Sequence, residues 1–185
     1  MLSRIILLLA DGLVIICLTR CLMQWARLPF DHPLARFCCQ ATDWLVQPLR
    51  KITPPLGKWD FACILAGFSM YYLAYLLVTL LSFPMTMGVK LLAGNLLFTV
   101  LGMLKAMAYV LLIGLLLRMF LSIKSPYSAL LAALHQLFQP LTRAFPSIRF
   151  GHFDFSGSVL ALLLWLWLSD ILPQLTAKLN MWLLY

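Results

Sequence analysis

Charge is what this sequence has least of. Only 11% of its 185 residues are charged, against about a quarter in a soluble domain. All six acidic residues are aspartates, so glutamate is absent. With 63% apolar residues and a mean hydropathy of +0.96, a water-soluble globule is excluded. A disordered chain is excluded too, since its signature is low hydrophobicity. Cysteine is sparse and badly spaced for chemistry: Cys17, Cys21, Cys38, Cys39 and Cys63 contain no CxxC, which leaves no zinc site, redox pair or haem-attachment motif. The five read as small apolar packing residues. No Ser/His/Asp set, metal-ligand cluster or glycine-rich phosphate loop occurs, so neither an enzyme nor a bound cofactor is expected. The excess of 14 basic over 6 acidic residues, on so apolar a chain, points to anionic lipid headgroups and not to nucleic acid.

What the chain does have is long apolar runs. Four are near the roughly 20 residues that cross a bilayer core: Arg4–Met23, Phe61–Ser82, Leu96–Phe120 and Phe155–Leu172. The first resembles a signal peptide but lacks a small-x-small cleavage site, so an uncleaved membrane helix is expected. Between the second and third, Pro84, Gly88 and Gly94-Asn95 read as a turn and a short interfacial piece. Basic residues set the expected orientation. Arg20, Arg27, Arg36, Arg50, Lys51 and Lys58 fall between spans one and two, and Arg118, Lys124, Arg143 and Arg149 between spans three and four. Only Arg4, Lys90 and Lys178 fall on the other side. Both long connections are therefore expected to be cytoplasmic, with both termini periplasmic.

Each long connection has helical periodicity. Arg36, Gln40, Asp43 and Gln47 lie opposite Phe37, Ala41, Trp44 and Leu45, and Ser128, His135 and Gln139 lie opposite Leu130, Leu134, Leu137 and Phe138. Both read as amphipathic helices in the membrane surface, opened by Pro33 and Pro126. The pattern also repeats. Arg20, Pro33, Gln47-Pro48-Leu49-Arg50-Lys51, Pro54-Pro55 and Asp60 are matched by Arg118, Pro126, Gln139-Pro140-Leu141-Thr142-Arg143, Pro146 and Asp154. Two spans per unit make the repeat parallel, unlike the inverted repeats of many transporters. The expected organisation is a first repeat over 1–83, an outer connection over 84–95 and a second repeat over 96–185. Gln-Pro-Leu is expected to end each amphipathic helix, and the aspartate to cap the span that follows.

This doubled pattern resembles the YggT family of bacterial inner-membrane proteins, whose relatives include the YlmG proteins of Gram-positive bacteria, cyanobacteria and plastids. The resemblance rests on Arg20-x-x-x-Gln24-Trp25, Pro33, Gln47-Pro48-Leu49-Arg50-Lys51, Pro54-Pro55, Gly57, Asp60 and their second-half copies. Thr142 departs from it, standing where the family usually has the first of two arginines. The resemblance implies a non-enzymatic role in osmotic stress and potassium homeostasis. Elsewhere in the family it implies division-site or nucleoid organisation, or haem attachment to a plastid cytochrome.

The expected fold is an all-α membrane protein of four spans in two parallel repeats. Charges inside spans are functional candidates by default, which singles out Asp11, Lys105 and Asp170. Counted along their helices, Lys105 and Asp170 lie about 20 and about 24 Å from the basic side, and are expected to pair. Asp11 is then the acid available to a cation path. Against a conductance stands the lack of a polar stripe along any span. Arg36, Arg50, Lys51 and Arg143 are the candidates for holding anionic lipid or a protein partner. His32, His135 and His152 fall in connections, without the facing geometry of bis-histidine haem ligation. With so little chain outside the bilayer, a homo-oligomer or a membrane-protein partner is expected. Two functions follow: a small conductance or a regulator of one, and a membrane scaffold or assembly factor.

Overall fold

The computed structural model describes residues 1–25, 33–53, 60–82, 89–124, 129–143, 149–150, 153–154 and 156–184. Among them the chain is helical apart from one two-residue antiparallel pair, Arg149–Phe150 with Phe153–Asp154. In order, the helices are α1 (Leu2–Trp25), α2 (Pro33–Ile52), α3 (Phe61–Ser82), α4 (Val89–Lys124), α5 (Ala129–Arg143), α6 (Ser156–Leu166) and α7 (Leu172–Leu184). A π-helical turn, Trp167–Ile171, joins α6 to α7. Four helical stretches are long and apolar enough to cross a membrane: Leu2–Trp25, Phe61–Leu81, Lys90–Lys124 and Gly157–Met181.

Helix α1 sits between α3 and α4, which also touch each other. The seam is filled by Ala10, Val14 and Leu18 from α1, Tyr71 and Ala74 from α3, and Ala106 and Val110 from α4. Helix α2 covers one end of α1 and α3, burying Val46 against Cys17, Cys21, Ala62, Cys63 and Ala66. Helix α5 buries Leu137 and Phe138 against Leu115 of α4 and against Leu160 and Ala161 of α6. Gly114 makes that docking possible, because a Cβ there would stand 2.6 Å from Cζ of Phe138. The cysteines behave as packing residues: Cys17, Cys21, Cys38 and Cys63 are buried, Cys39 is half-buried, and none is in a disulfide.

Several boundaries differ from those expected. Helix α4 starts at Val89 and runs about 54 Å, so Gly94 and Asn95 lie inside it and not in a turn. Asn95 is buried there and its side chain meets the Thr79 hydroxyl at 3.0 Å, a tertiary contact that outweighs the turn propensity of Gly-Asn. Helix α2 does not end at Gln47-Pro48 but continues to Ile52. Pro48 lies on the exposed side, as does Trp44, whose carbonyl loses its amide partner. The Gln139-Pro140 step is likewise inside α5. The fourth span passes Pro173 instead of stopping before it. The π turn accommodates the ring there, with the Leu172 amide donating to the Trp167 carbonyl, a local adjustment that membrane helices use around proline. Pro126, Pro54, Pro55, Pro146, His32 and His152 lie outside the described residues.

Candidate functional site

Two polar clusters are built into the bundle. The first lies in the α1–α3–α4 seam. Lys105 Nζ stands 2.7 Å from Asp11 Oδ2, and the Tyr71 hydroxyl donates to Asp11 Oδ1 at 2.7 Å. Both charged side chains are 29% exposed, and Tyr71 is buried. Lys105 also lies 5.9 Å from the centroid of the Tyr109 ring, within cation–π range. Lys105 therefore pairs with Asp11 and not, as expected, with Asp170. The reason is facing: α1 and the fourth span both pack on α4, but Asp11 lies in the seam, whereas Asp170 is exposed on the π turn, where among the described residues it accepts from the Ser169 hydroxyl.

Farther along the seam, Tyr75 stacks against Tyr71, and Thr79 meets Asn95. The Thr99 hydroxyl closes onto the Asn95 carbonyl at 2.7 Å. Tyr71, Tyr75 and Thr79 recur every four residues on α3, facing Asn95, Thr99, Gly102 and Lys105 on α4. Contrary to expectation, a polar stripe does run along two spans. It was not legible as one because tyrosine hydroxyls sit on apolar rings. The seam is also tight, since a Cβ on Gly67 or Gly102 would come within 3.3 Å of its neighbours. Polar groups packed in this way act as interhelical hydrogen-bonding glue.

The second cluster fixes α2 to the spans. Arg20, 5% exposed, donates from Nη1 to the Thr42 hydroxyl at 2.8 Å and to the Cys39 carbonyl at 3.4 Å, and pairs with Asp43 at 2.8 Å. Thr42 in turn donates to the Cys38 carbonyl. At the other end of α2, Arg50 Nη2 meets Asp60 Oδ2 at 2.5 Å. The Cys63 thiol contacts the same carboxylate, and Gln24 hydrogen-bonds to it. Asp60 does stand at the start of α3, where its carbonyl accepts from the Cys63 amide. Its carboxylate, however, serves Arg50 and, among the described residues, caps no backbone amide. Burial alone would raise the Asp60 carboxyl, but the Arg50 hydrogen bond and charge outweigh it and hold the pKa below the ordinary value. Burial would lower the Arg50 guanidinium, and the same pair holds it up instead.

A family model described as CCB3/YggT matches residues 1–81, the stretch that contains all of the second cluster. An Escherichia coli K12 protein called "Uncharacterized protein YggT" is 30% identical over 174 residues, covering 90% of this chain and 86% of that protein. The chain belongs to the YggT family. A Vibrio alginolyticus protein, named only for its position in the proC 3′ region, is 30% identical over 85% of this chain and 86% of its own length. A Haemophilus influenzae protein is 29% identical over 87% of this chain and 85% of its own length. No solved structure matches.

In this YggT-family chain the motif residues divide by role. Arg20, Arg50 and Asp60 form intramolecular pairs, and Arg50, expected to hold lipid or a partner, gives Nη2 to Asp60. Lys51 and Arg36 are exposed on α2, with Gln40, Gln47 and the apolar Phe37 and Trp44. Arg118 is buried in α4, and Gln139 is exposed on α5. Arg143 ends α5, and Asp154 is in the short strand pair. Sequence reasoning passed over Thr42, Asp43, Gln24 and Tyr71 as partners. Asp43 lay in plain view, but its arginine is 23 positions away, on a different helix.

Proposed function

We propose that this YggT-family protein is a non-enzymatic inner-membrane platform. It contributes to osmotic-stress tolerance and to potassium or other cation homeostasis by regulating a partner, and does not conduct ions itself. The observation that carries this reading is the clamping of α2. Buried Arg20 holds its middle and the Arg50–Asp60 pair holds its end. Ala35, Cys38, Thr42 and Val46 face the protein, leaving Arg36, Phe37, Gln40, Trp44 and Lys51 outward. A helix held so firmly, with aromatic and basic residues outward, suits a surface that meets anionic headgroups or a partner at the interface. The proposal places α2 and α5 on the cytoplasmic side, both termini in the periplasm, and the two halves as parallel repeats. The test is complementation under hyperosmotic stress in a strain lacking the protein. Trp44→Ala with Lys51→Gln should abolish rescue at unchanged abundance, whereas Asp11→Asn with Lys105→Met should retain it. The opposite pattern would overturn the proposal.

A second reading, a small cation conductance, is favoured by the Tyr71–Tyr75–Thr79 stripe beside Asp11. It requires the Lys105–Asp11 pair to open, because in the closed seam the carboxylate is already neutralised.

A further inference from the structure

Asp170 is an anomaly for a membrane helix. It is exposed, it lies fourteen residues into the helical run from Ser156 to Leu184, and it accepts a hydrogen bond from its neighbour Ser169. A carboxylate facing lipid within a span is costly, so a membrane protein normally turns it toward a counter-charge. The fourth span is also the least enclosed of the four, with 17% of its window buried against 28–33% for the others. Among the spans it packs chiefly on α4, and its outward face carries Leu162, Trp165 and Leu166 in the turns before Asp170. The π turn falls on this same segment, and such bulges gather at functional positions.

The chain itself holds a matching cation on a different surface. A Cβ on Gly157 would touch Leu115 at 3.7 Å, which sets the register of the fourth span against α4. Thirteen residues onward, about 20 Å, Asp170 lies level with Gly102, about 5 Å beyond Lys105. The Lys105–Asp11 pair carries that level across to Leu8 on α1, one turn from Arg4. Arg4 is exposed and, among the described residues, its side chain has no hydrogen-bond or ion-pair partner. It shares its stripe with Ile5, Leu8 and Leu9, which are 55%, 71% and 62% exposed. Gly12 ends the stripe, and a Cβ there would meet nothing within 4 Å, so another helix can approach closely. Among the described residues Arg4 is the one exposed cation within a turn of that depth. It cannot answer Asp170 in the same copy, because α1 lies in the seam beyond α4.

We propose that the Asp170 face of α6–α7 docks against the Arg4 face of α1 on a second copy of this chain, head to tail within the membrane. The two faces differ, so the contact is heterologous. It propagates around a closed ring whose copies are related by rotation about the membrane normal, which keeps Arg4 and Asp170 within about a turn of one depth, in reach of the long arginine side chain. Each copy then neutralises its neighbour's exposed charge, while Leu166 meets the Gly12 end of the stripe and Ile171 lies level with Leu8.

The test is native mass spectrometry of the full chain released from nanodiscs, with Arg4→Asp, Asp170→Arg and the double exchange. The wild type should run as multiples of 21.0 kDa. Each single reversal should weaken the assembly at least tenfold, and the double exchange should restore it. Should a reversal fail to fold by circular dichroism, the milder Arg4→Gln and Asp170→Asn carry the test, and both should shift the population toward monomer. A monomeric wild type would overturn the proposal. So would an assembly indifferent to the single changes, a double exchange that does not restore it, or crosslinks from position 170 that reach a different membrane protein in place of a second copy.

Discussion

Replacing Lys105 by methionine removes one half of the pair inside the α1–α3–α4 seam and leaves Asp11 with the Tyr71 hydroxyl. At an effective dielectric near 20, two unit charges 2.7 Å apart attract by about 6 kcal/mol. Each ion has surrendered several kcal/mol of hydration to get there, and the 29% exposure of both side chains returns part of it. The net coupling should then be about 2 kcal/mol, within the range found for contacting residues. Lys105→Met alone should cost about 3 kcal/mol, because it strands a carboxylate. Asp11→Asn should cost somewhat less, since the lysine can reach toward the interface. The double variant should be clearly more stable than the sum of the two losses predicts. The assay is reversible unfolding in mixed micelles, run as a full double-mutant cycle with Lys105→Met/Asp170→Asn as the comparison cycle. Coupling of Lys105 to Asp11 below about 0.5 kcal/mol, the scatter of independent sites, would refute the pairing. Coupling to Asp170 instead would reinstate the pair read from helix depth alone.

Three further outcomes follow from the same structure. The Asp60 carboxyl is held below its unfolded value by Arg50, so its stabilisation is complete above about pH 4 and is lost as pH falls through the lowered native pKa. Unfolding midpoints taken from pH 6 down to pH 2 should show that loss in the wild type and a flatter profile in Arg50→Gln; identical profiles would contradict it. Gly114→Ala should destabilise the protein by about 1–3 kcal/mol, the ordinary cost of overpacking, because Phe138 is fully buried and has no room to retreat. Thermal unfolding of the variant beside Gly12→Ala, where space is open, provides the comparison. Arg20→Gln should loosen α2. Cys38, whose thiol burial holds above its ordinary pKa, should then react severalfold faster with a maleimide, and an unchanged rate would mean that Arg20 does not hold the helix.

How much of this was readable beforehand depends on whether a feature is local. The second span, Phe61–Ser82, was bounded correctly because apolar length alone defines it. The helical character of the first connection was legible from Arg36, Gln40, Asp43 and Gln47. Its inner face was not, because Ala35, Cys38, Thr42 and Val46 are small, and their burial follows from Arg20 drawing α2 onto α1. The helix ends drawn at Gln47-Pro48 and at Pro173 were misplaced, since a proline on an exposed side or behind a π turn need not end a helix. The intramembrane charges Asp11, Lys105 and Asp170 were identified, but their pairing was judged by depth along each helix. Depth is common to every residue at that level, whereas pairing depends on which way each side chain faces. Asp11 and Asp170 both lie within about a turn of Lys105, and α1 and the fourth span both pack on α4; Asp11 lies in the seam and Asp170 outside it, which decides between them.

The most direct test of the central claim, that the intramembrane charges hold helices together and do not pass ions, is flux into proteoliposomes containing the purified protein. Potassium and sodium gradients would be imposed at a set membrane potential, with protein-free vesicles as the baseline. The account predicts flux at that baseline for the folded wild type and for Asp11→Asn alike. Potassium or sodium flux above it, abolished by Asp11→Asn, would contradict the account and make the Asp11 seam a conduction path.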